Sequence, residues 1–107
     1  MHVTIIGPGS MGRALTTRLL AGGNVVSLVG RDRRQAEEVA SELRAGAGGS
    51  AAVDAAEPGT AIGKSEVVIL ALPYPAALDA AREHGRLLGG RVVIDVTTRW
   101  TRATPGW

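Results

Sequence analysis

A glycine-rich turn near the start of the chain limits the possible folds more than any other feature. The segment Gly7–Gly12 has the pattern G-x-G-x-x-G, follows the apolar run Val3–Ile6 and precedes a helical pattern that begins near Ser10. In such a turn the first glycine allows a sharp bend off the strand, and the second lets a pyrophosphate approach the backbone. The third lets the helix pack closely on the strand, and the helix start offers unpaired N–H groups to an anion.

The position of this pattern, between a first strand and a first helix, predicts a dinucleotide-binding turn. The alternative is an ordinary glycine-rich connection between a strand and a helix. The residues expected to contact the cofactor here are Gly7, Pro8, Gly9, Ser10, Met11 and Gly12.

Length and composition indicate a single domain with an aliphatic core. The chain has 107 residues, no Cys, no Phe and a formal net charge of +2. The lack of Cys excludes disulfides and Cys-ligated metals, and so small a charge does not indicate nucleic-acid binding. The N-terminus lacks signal-peptide features, and no apolar run approaches the ~20 residues of a membrane helix. We therefore expect a cytoplasmic protein that has neither nucleic acid nor a membrane as partner.

Apolar runs alternate with helical patterns along the chain, and the strands read as continuous apolar segments. This is typical of a parallel sheet that helices cover on both faces through right-handed crossovers. We predict an α/β fold with a doubly wound parallel sheet, a Rossmann-like NAD(P)-binding domain of about five strands in the order 3-2-1-4-5. The predicted domain is residues 1–98, and residues 99–107 form an irregular tail.

The predicted elements are strands at His2–Ile6, Asn24–Val29, Ala51–Val53, Glu66–Leu72 and Arg91–Val96, helices at Ser10–Ala21, Arg33–Ala45 and Pro75–Leu88, and a turn or short helix within Ala55–Ser65. Helical spacing predicts the buried positions of the first two helices. These positions are Met11, Ala14, Leu15 and Leu19 in the first helix, and Ala36, Val39, Ala40 and Leu43 in the second.

A basic cluster follows the second strand, where NAD-binding domains usually carry an acidic residue. That position is Gly30, and Arg31, Asp32, Arg33 and Arg34 follow it. Loss of the carboxylate removes repulsion toward a 2′-phosphate, and a guanidinium supplies a partner for it, so the cluster favours NADP(H) over NAD(H). Arg31 is the first choice for that contact. Asp32 either caps the next helix or binds a ribose hydroxyl, and the alternative for the arginines is a solvated first helical turn.

The exits of the fourth and fifth strands are expected to flank the nicotinamide end of the cofactor, because ligands lie outside the carboxyl ends of parallel strands. Tyr74 either stacks on the nicotinamide or is a half-exposed loop aromatic. Neither a metal-ligand cluster nor a catalytic side chain is predicted. The cofactor-binding residues expected at these exits are Leu72, Pro73, Tyr74, Val96 and Thr97.

With these motifs the chain resembles the N-terminal domain of the NADPH-dependent coenzyme F420 reductases, over about residues 3–98. The matching segments are Ile5–Leu15, Gly30–Arg33, Val67–Tyr74 and Val92–Thr97. The resemblance implies NADP(H) binding and direct hydride transfer between NADPH and the deazaflavin F420. In such chemistry the protein mainly holds two rings face to face, and a side-chain acid or base is not required.

Two departures from this family keep other functions open. Asp32 interrupts the family's basic cluster, and the family has a further C-terminal portion that encloses the deazaflavin and forms dimers. One alternative is an NADP-binding module without turnover: a truncated remnant, a sensor or part of a split enzyme. Another is an imine reductase similar to pyrroline-carboxylate reductase. We also expect a homo-oligomer or a partner chain, with Trp100 and Trp107 as candidate contacts.

Overall fold

The computed structural model of the protein describes residues 1–7, 9–46, 52–72 and 74–96, with the side chains of 74–77 excepted. The strands are β1 (His2–Ile6), β2 (Val25–Val29), β3 (Val53–Ala55), β4 (Val67–Leu70) and β5 (Val92–Asp95). The helices are α1 (Ser10–Ala21), α2 (Arg33–Gly46), α3 (Pro58–Lys64), α4 (Tyr74–Glu83) and α5 (Gly85–Leu88).

The strands form one parallel sheet in the order β3-β2-β1-β4-β5. β1 lies at its centre, with Ile5 opposite Leu28 of β2 on one side and Ile69 of β4 on the other. The predicted fold class and strand order are therefore confirmed. All carboxyl ends of the strands lie at one edge of the sheet, which is where an open parallel sheet offers a ligand site.

Helices cover both faces of the sheet, with α1 and α2 on one face and α3, α4 and α5 on the other. Val3 and Ile5 point toward α1 and α2, where they belong to a cluster with Val39 of α2. Ile6, one residue further, points toward the opposite face, where it belongs to a cluster with Ile62 of α3. Because successive strand side chains point to opposite faces, a continuous apolar strand serves both cores at once.

Two polar residues within the strands are buried on the α3 face and find partners there. The hydroxyl groups of Thr4 and Ser65 form a hydrogen bond with each other. The Ser65 hydroxyl also donates to the Ala61 carbonyl at 2.7 Å. Ser27 Oγ lies 2.8 Å from Nε2 of His2. These contacts satisfy the polar groups that burial would otherwise leave without hydrogen bonds.

The buried face of α1 differs from the predicted one. Leu15 and Leu19 do pack on the core, but Met11 is 45% exposed, and Thr16 is fully buried in its place. The Thr16 hydroxyl donates to the Gly12 carbonyl at 2.7 Å, which satisfies it inside the core. The predicted buried position of Ala14 is also wrong, because this residue is exposed.

Several element bounds also differ from the predicted ones, and two of these differences bear on the site described below. β3 runs to Ala55, two residues beyond the prediction, because Ala55 pairs with Leu28 of the neighbouring strand. The predicted single helix after β4 is divided at His84, whose backbone dihedrals (φ −107°, ψ 12°) depart from helical values before Gly85 starts α5. Glycine is a poor helix former, which accounts for a break at this point.

The predicted C-terminal tail lies outside the described residues. Within the residues that the structure does describe, no helix is both long enough and apolar enough to cross a membrane.

We predict that Gly12→Ala destabilises the fold by about 1–3 kcal/mol, the usual cost of adding a methyl group to a closely packed site. A Cβ at Gly12 would lie 1.9 Å from the backbone oxygen of Gly7, so α1 must move away from the sheet. Urea unfolding measures the change. The matched control is Gly63→Ala in α3, where a Cβ meets no described atom within 4 Å. The prediction fails if both variants unfold at the same urea concentration.

Candidate functional site

The turn between β1 and α1 brings three strand ends together. Gly7 has φ +120°, and its amide donates to the Val29 carbonyl of β2 at 2.8 Å. A Cβ at this position would lie 2.2 Å from the backbone oxygen of Ala71, directly after β4. Both the backbone conformation and the close approach therefore require glycine.

The second glycine of the turn leaves open space in front of the helix start. A Cβ at Gly9 would meet no atom within 4 Å among the described residues, although Gly9 directly precedes α1. The first helical hydrogen bond runs from the Arg13 amide to the Gly9 carbonyl at 2.9 Å. The amides of residues 10–12 precede it, and amides in this position have no helical acceptor and can bind an anion. Ser10 and Met11 of this turn are exposed.

A cleft of about 360 Å³ opens at the same edge of the sheet, on the side of α3 and α4. It brings together three of the predicted site residues, Gly30 and Arg31 after β2 and Leu72 after β4. The remaining lining residues are Ile6, Val29, Glu57, Pro58, Asp79, Ala80, Glu83 and His84.

The lining contributed by α4 and by the exit of β3 was not predicted. Asp79, Ala80, Glu83 and His84 have the spacing of one helix face, so the helical pattern carried a signal for them. Glu57 follows β3 and therefore lies at the carboxyl edge, like the other strand exits. Its place in the cleft depended on where β3 ends, and the predicted end was two residues too early.

The members of the basic cluster take separate positions. Arg31 lines the cleft and has neither an ion pair nor a hydrogen bond with the part of the chain described. Asp32 Oδ1 accepts the Arg34 amide at 3.0 Å, and the Asp32 carbonyl accepts the Ala36 amide at 3.2 Å. Asp32 therefore caps α2, in agreement with one of the two predicted roles.

Arg33 binds two carboxylates. Its Nη1 donates to Glu57 Oε1 at 2.9 Å, and its Nε lies 3.2 Å from Glu37 Oε1, one turn along α2. The hydrogen bond with Glu57 raises the pKa of Arg33 further above its usual value, and the charges of both carboxylates act in the same direction. This guanidinium is therefore charged but already partnered, unlike that of Arg31.

Several predicted site residues do not line the cleft, and others lie outside the described residues. Val96 follows β5, where its amide donates to the Leu70 carbonyl at 3.1 Å and its side chain packs on the α1 side of the sheet. Tyr74 begins α4. Pro8, Pro73, Thr97 and the side chain of Tyr74 lie outside the described residues.

The described part of the chain contains no group of three His, Asp or Glu side chains placed to hold a metal ion. The site therefore consists of a glycine turn at a helix start, an adjoining cleft at the strand ends, and in that cleft a guanidinium that pairs with none of the described side chains.

This arrangement agrees with comparisons to known proteins. The family described as NADP oxidoreductase, coenzyme F420-dependent, matches residues 2–99. The chain belongs to this family. The predicted resemblance is thereby confirmed over nearly the whole chain.

Solved structures of several oxidoreductases share the fold of this chain. An imine reductase from Streptomyces aurantiacus is 30% identical, with a TM-score of 0.69 over 92% of this chain and 32% of that one. The imine reductase from Myxococcus stipitatus in complex with NADP+ is 23% identical, with a TM-score of 0.73 over 92% of this chain and 32% of its own. Lactate dehydrogenase from Eimeria maxima, with NADH and oxamate, is 15% identical, with a TM-score of 0.77 over 91% of this chain and 36% of its own.

The chain thus spans about a third of the length of these structures. The match to the two proteins below 25% identity is a match of fold.

Proposed function

We propose that the chain binds NADP(H) and takes part in hydride transfer between NADPH and coenzyme F420 or a similar acceptor. One observation carries the proposal: the open space at Gly9, next to the free amides of α1. Gly7 and Gly12 are glycine because protein atoms crowd them, whereas crowding by described atoms does not explain Gly9. A pyrophosphate in that space explains it, since the backbone must then approach the ligand closely.

The residues that would hold the cofactor form three groups along the edge of the sheet. The glycine turn, with Pro8, Ser10 and Met11, would hold the pyrophosphate at the start of α1. The strand exits at Leu72, Pro73, Tyr74, Val96 and Thr97 would flank the nicotinamide. Residues 30–34 would hold the adenosine end, namely Gly30, Arg31, Asp32, Arg33 and Arg34.

The adenosine end supports a preference for NADP(H). Gly30 offers no carboxylate to the ribose, and the side chain of Asp32 is occupied in capping α2. Arg31 is the member of the cluster that lines the cleft, and its planar guanidinium suits paired hydrogen bonds to a phosphate. Arg34 is exposed at the start of α2.

Hydride transfer from a bound nicotinamide is chemistry that the cofactor supplies. The work of the chain is to fix the position of the cofactor and to keep one face of its reactive ring accessible to the acceptor. No proton transfer by a side chain is needed for that step. The glycine turn and the strand exits beside the cleft would do this positioning.

Imine reduction is the second candidate function, favoured by the 30% identity to the Streptomyces aurantiacus imine reductase. The third is an NADP-binding module without turnover. Both share the cofactor site with the F420 reading and differ from it in the acceptor.

A turnover assay separates these candidates. We expect the protein to oxidise NADPH in the presence of F420, which the loss of NADPH absorbance measures. Oxidation with a cyclic imine in place of F420 would favour the imine reductase. Tight NADPH binding without oxidation by either acceptor would leave the binding module.

Arg31→Ala tests the preference for NADP(H). We expect about a 10- to 100-fold weaker affinity for NADPH, the usual loss when a hydrogen bond to a charged group is removed, and little change for NADH. Titration calorimetry with each coenzyme measures the effect. Arg18→Ala, which removes an exposed arginine from the last turn of α1, is the matched control. Equal losses for NADPH and NADH would contradict the role of Arg31.

We also propose that the chain associates with a second copy along β5. Val92, Val93 and Ile94 are 60%, 41% and 43% exposed, and β5 is one of the two edge strands of the sheet in the described part of the chain. An exposed apolar edge strand is a template for pairing with another strand, and a second β5 offers the same edge.

We expect sedimentation equilibrium to show a dimer. We expect Ile94→Lys to raise the dissociation constant of that dimer. A wild-type protein that stays monomeric at high concentration would contradict this. The predicted contacts Trp100 and Trp107 lie outside the described residues.

A further inference from the structure

Arg33 is held away from the cleft that contains Arg31. Its guanidinium lies between Glu57 and Glu37, and its side chain lines a neighbouring hollow of about 220 Å³. Glu57 lines both the hollow and the cleft. Glu57 therefore lies between the two spaces, of which Arg33 lines one and Arg31 the other.

This arrangement removes positive charge from the adenosine end of the site. Three arginines follow β2, but the charge of Arg33 is neutralised by the two carboxylates that contact it. The side chains of Arg33 and Glu57 are 52% and 62% exposed, so the ion pair is weak and a phosphate dianion can compete with it. The free energy needed to break the ion pair would then offset part of the binding free energy between Arg33 and a phosphate.

We infer that Glu57 is a specificity-determining residue, which lowers the preference for NADPH over NADH by holding Arg33 away from the 2′-phosphate. The inference rests on the proposed function, because it requires NADP(H) in the cleft. Among the carboxylates that line the cleft, Glu57 is the one whose contact with the basic cluster is observed, in contrast to Asp79 and Glu83 of α4.

The experiment compares the dissociation constants of NADPH and NADH in four proteins: wild type, Glu57→Gln, Arg33→Ala and the double variant. Glu57→Gln frees one side of the Arg33 guanidinium and removes a negative charge beside the cleft. We expect NADPH to bind about 3- to 10-fold more tightly, the effect of one charge contact at a partly screened site, and NADH to change less than about 2-fold. The NADPH gain should shrink as salt concentration rises.

The Arg33→Ala background separates the two ways in which Glu57 can act. If Glu57 acts by holding Arg33, then Glu57→Gln has little effect once Arg33 is absent. If the same gain persists without Arg33, direct repulsion between Glu57 and the phosphate is the cause, and the inference is overturned. Arg33→Ala alone is expected to change NADPH affinity much less than Arg31→Ala.

Glu38→Gln is the matched control, because it removes one exposed carboxylate from α2 that contacts none of the described arginines. It should leave both affinities unchanged. Weaker NADH binding in Glu57→Gln would also overturn the inference, since Glu57 would then be a ribose ligand. A wild-type protein that binds neither coenzyme would refute the proposed function. If the wild type binds NADPH but Glu57→Gln does not change that affinity, only the inference about Glu57 is overturned.

Discussion

Backbone-to-backbone packing at the carboxyl edge of the sheet determines the rest of the structure. α1 approaches β1 so closely that a Cβ at Gly12 would overlap the Gly7 carbonyl, and Gly7 in turn lies against the carbonyl of Ala71. These contacts leave no room for side chains between the helix start and the ends of β1 and β4. The free amides of α1 are thereby brought to the line along which the strand ends meet. A larger residue at either position would separate the helix from the sheet and move those amides.

The positive charge available to a ligand at this edge of the sheet depends on side-chain contacts as well as on the number of basic residues. Three arginines follow β2 in the chain, yet Arg33 is bound to Glu57 and Glu37, and Arg31 is the one in the cleft. Asp32, which breaks the basic run, has a structural role as the cap of α2. A count of basic residues near β2 would therefore overstate the positive charge that a phosphate meets.

Much of the fold and part of the site could be predicted from local patterns. The order of the strands follows from apolar runs that alternate with helices and from the handedness of crossovers, and the position of the glycine turn follows from the same pattern. The cap at Asp32 is a local interaction over two residues. By contrast, Glu57 meets Arg33 across 24 positions of sequence, and this contact depends on the true end of β3. The prediction was wrong for Met11, which is 45% exposed, because Gly12 and Thr16, four residues apart, form the fully buried part of the α1 surface instead.

The central position of β1 has a consequence for the energetics of ligand binding. β1 pairs with a strand on each side, and Val3, Thr4 and Ile5 are almost wholly buried, so the glycine turn continues from the best-supported segment of the sheet. For the proposed phosphate site at the start of α1, this support of the preceding strand would reduce the conformational entropy that is lost on binding. A turn attached to an outer strand such as β5 would lack this double support and would have to be ordered by its ligand.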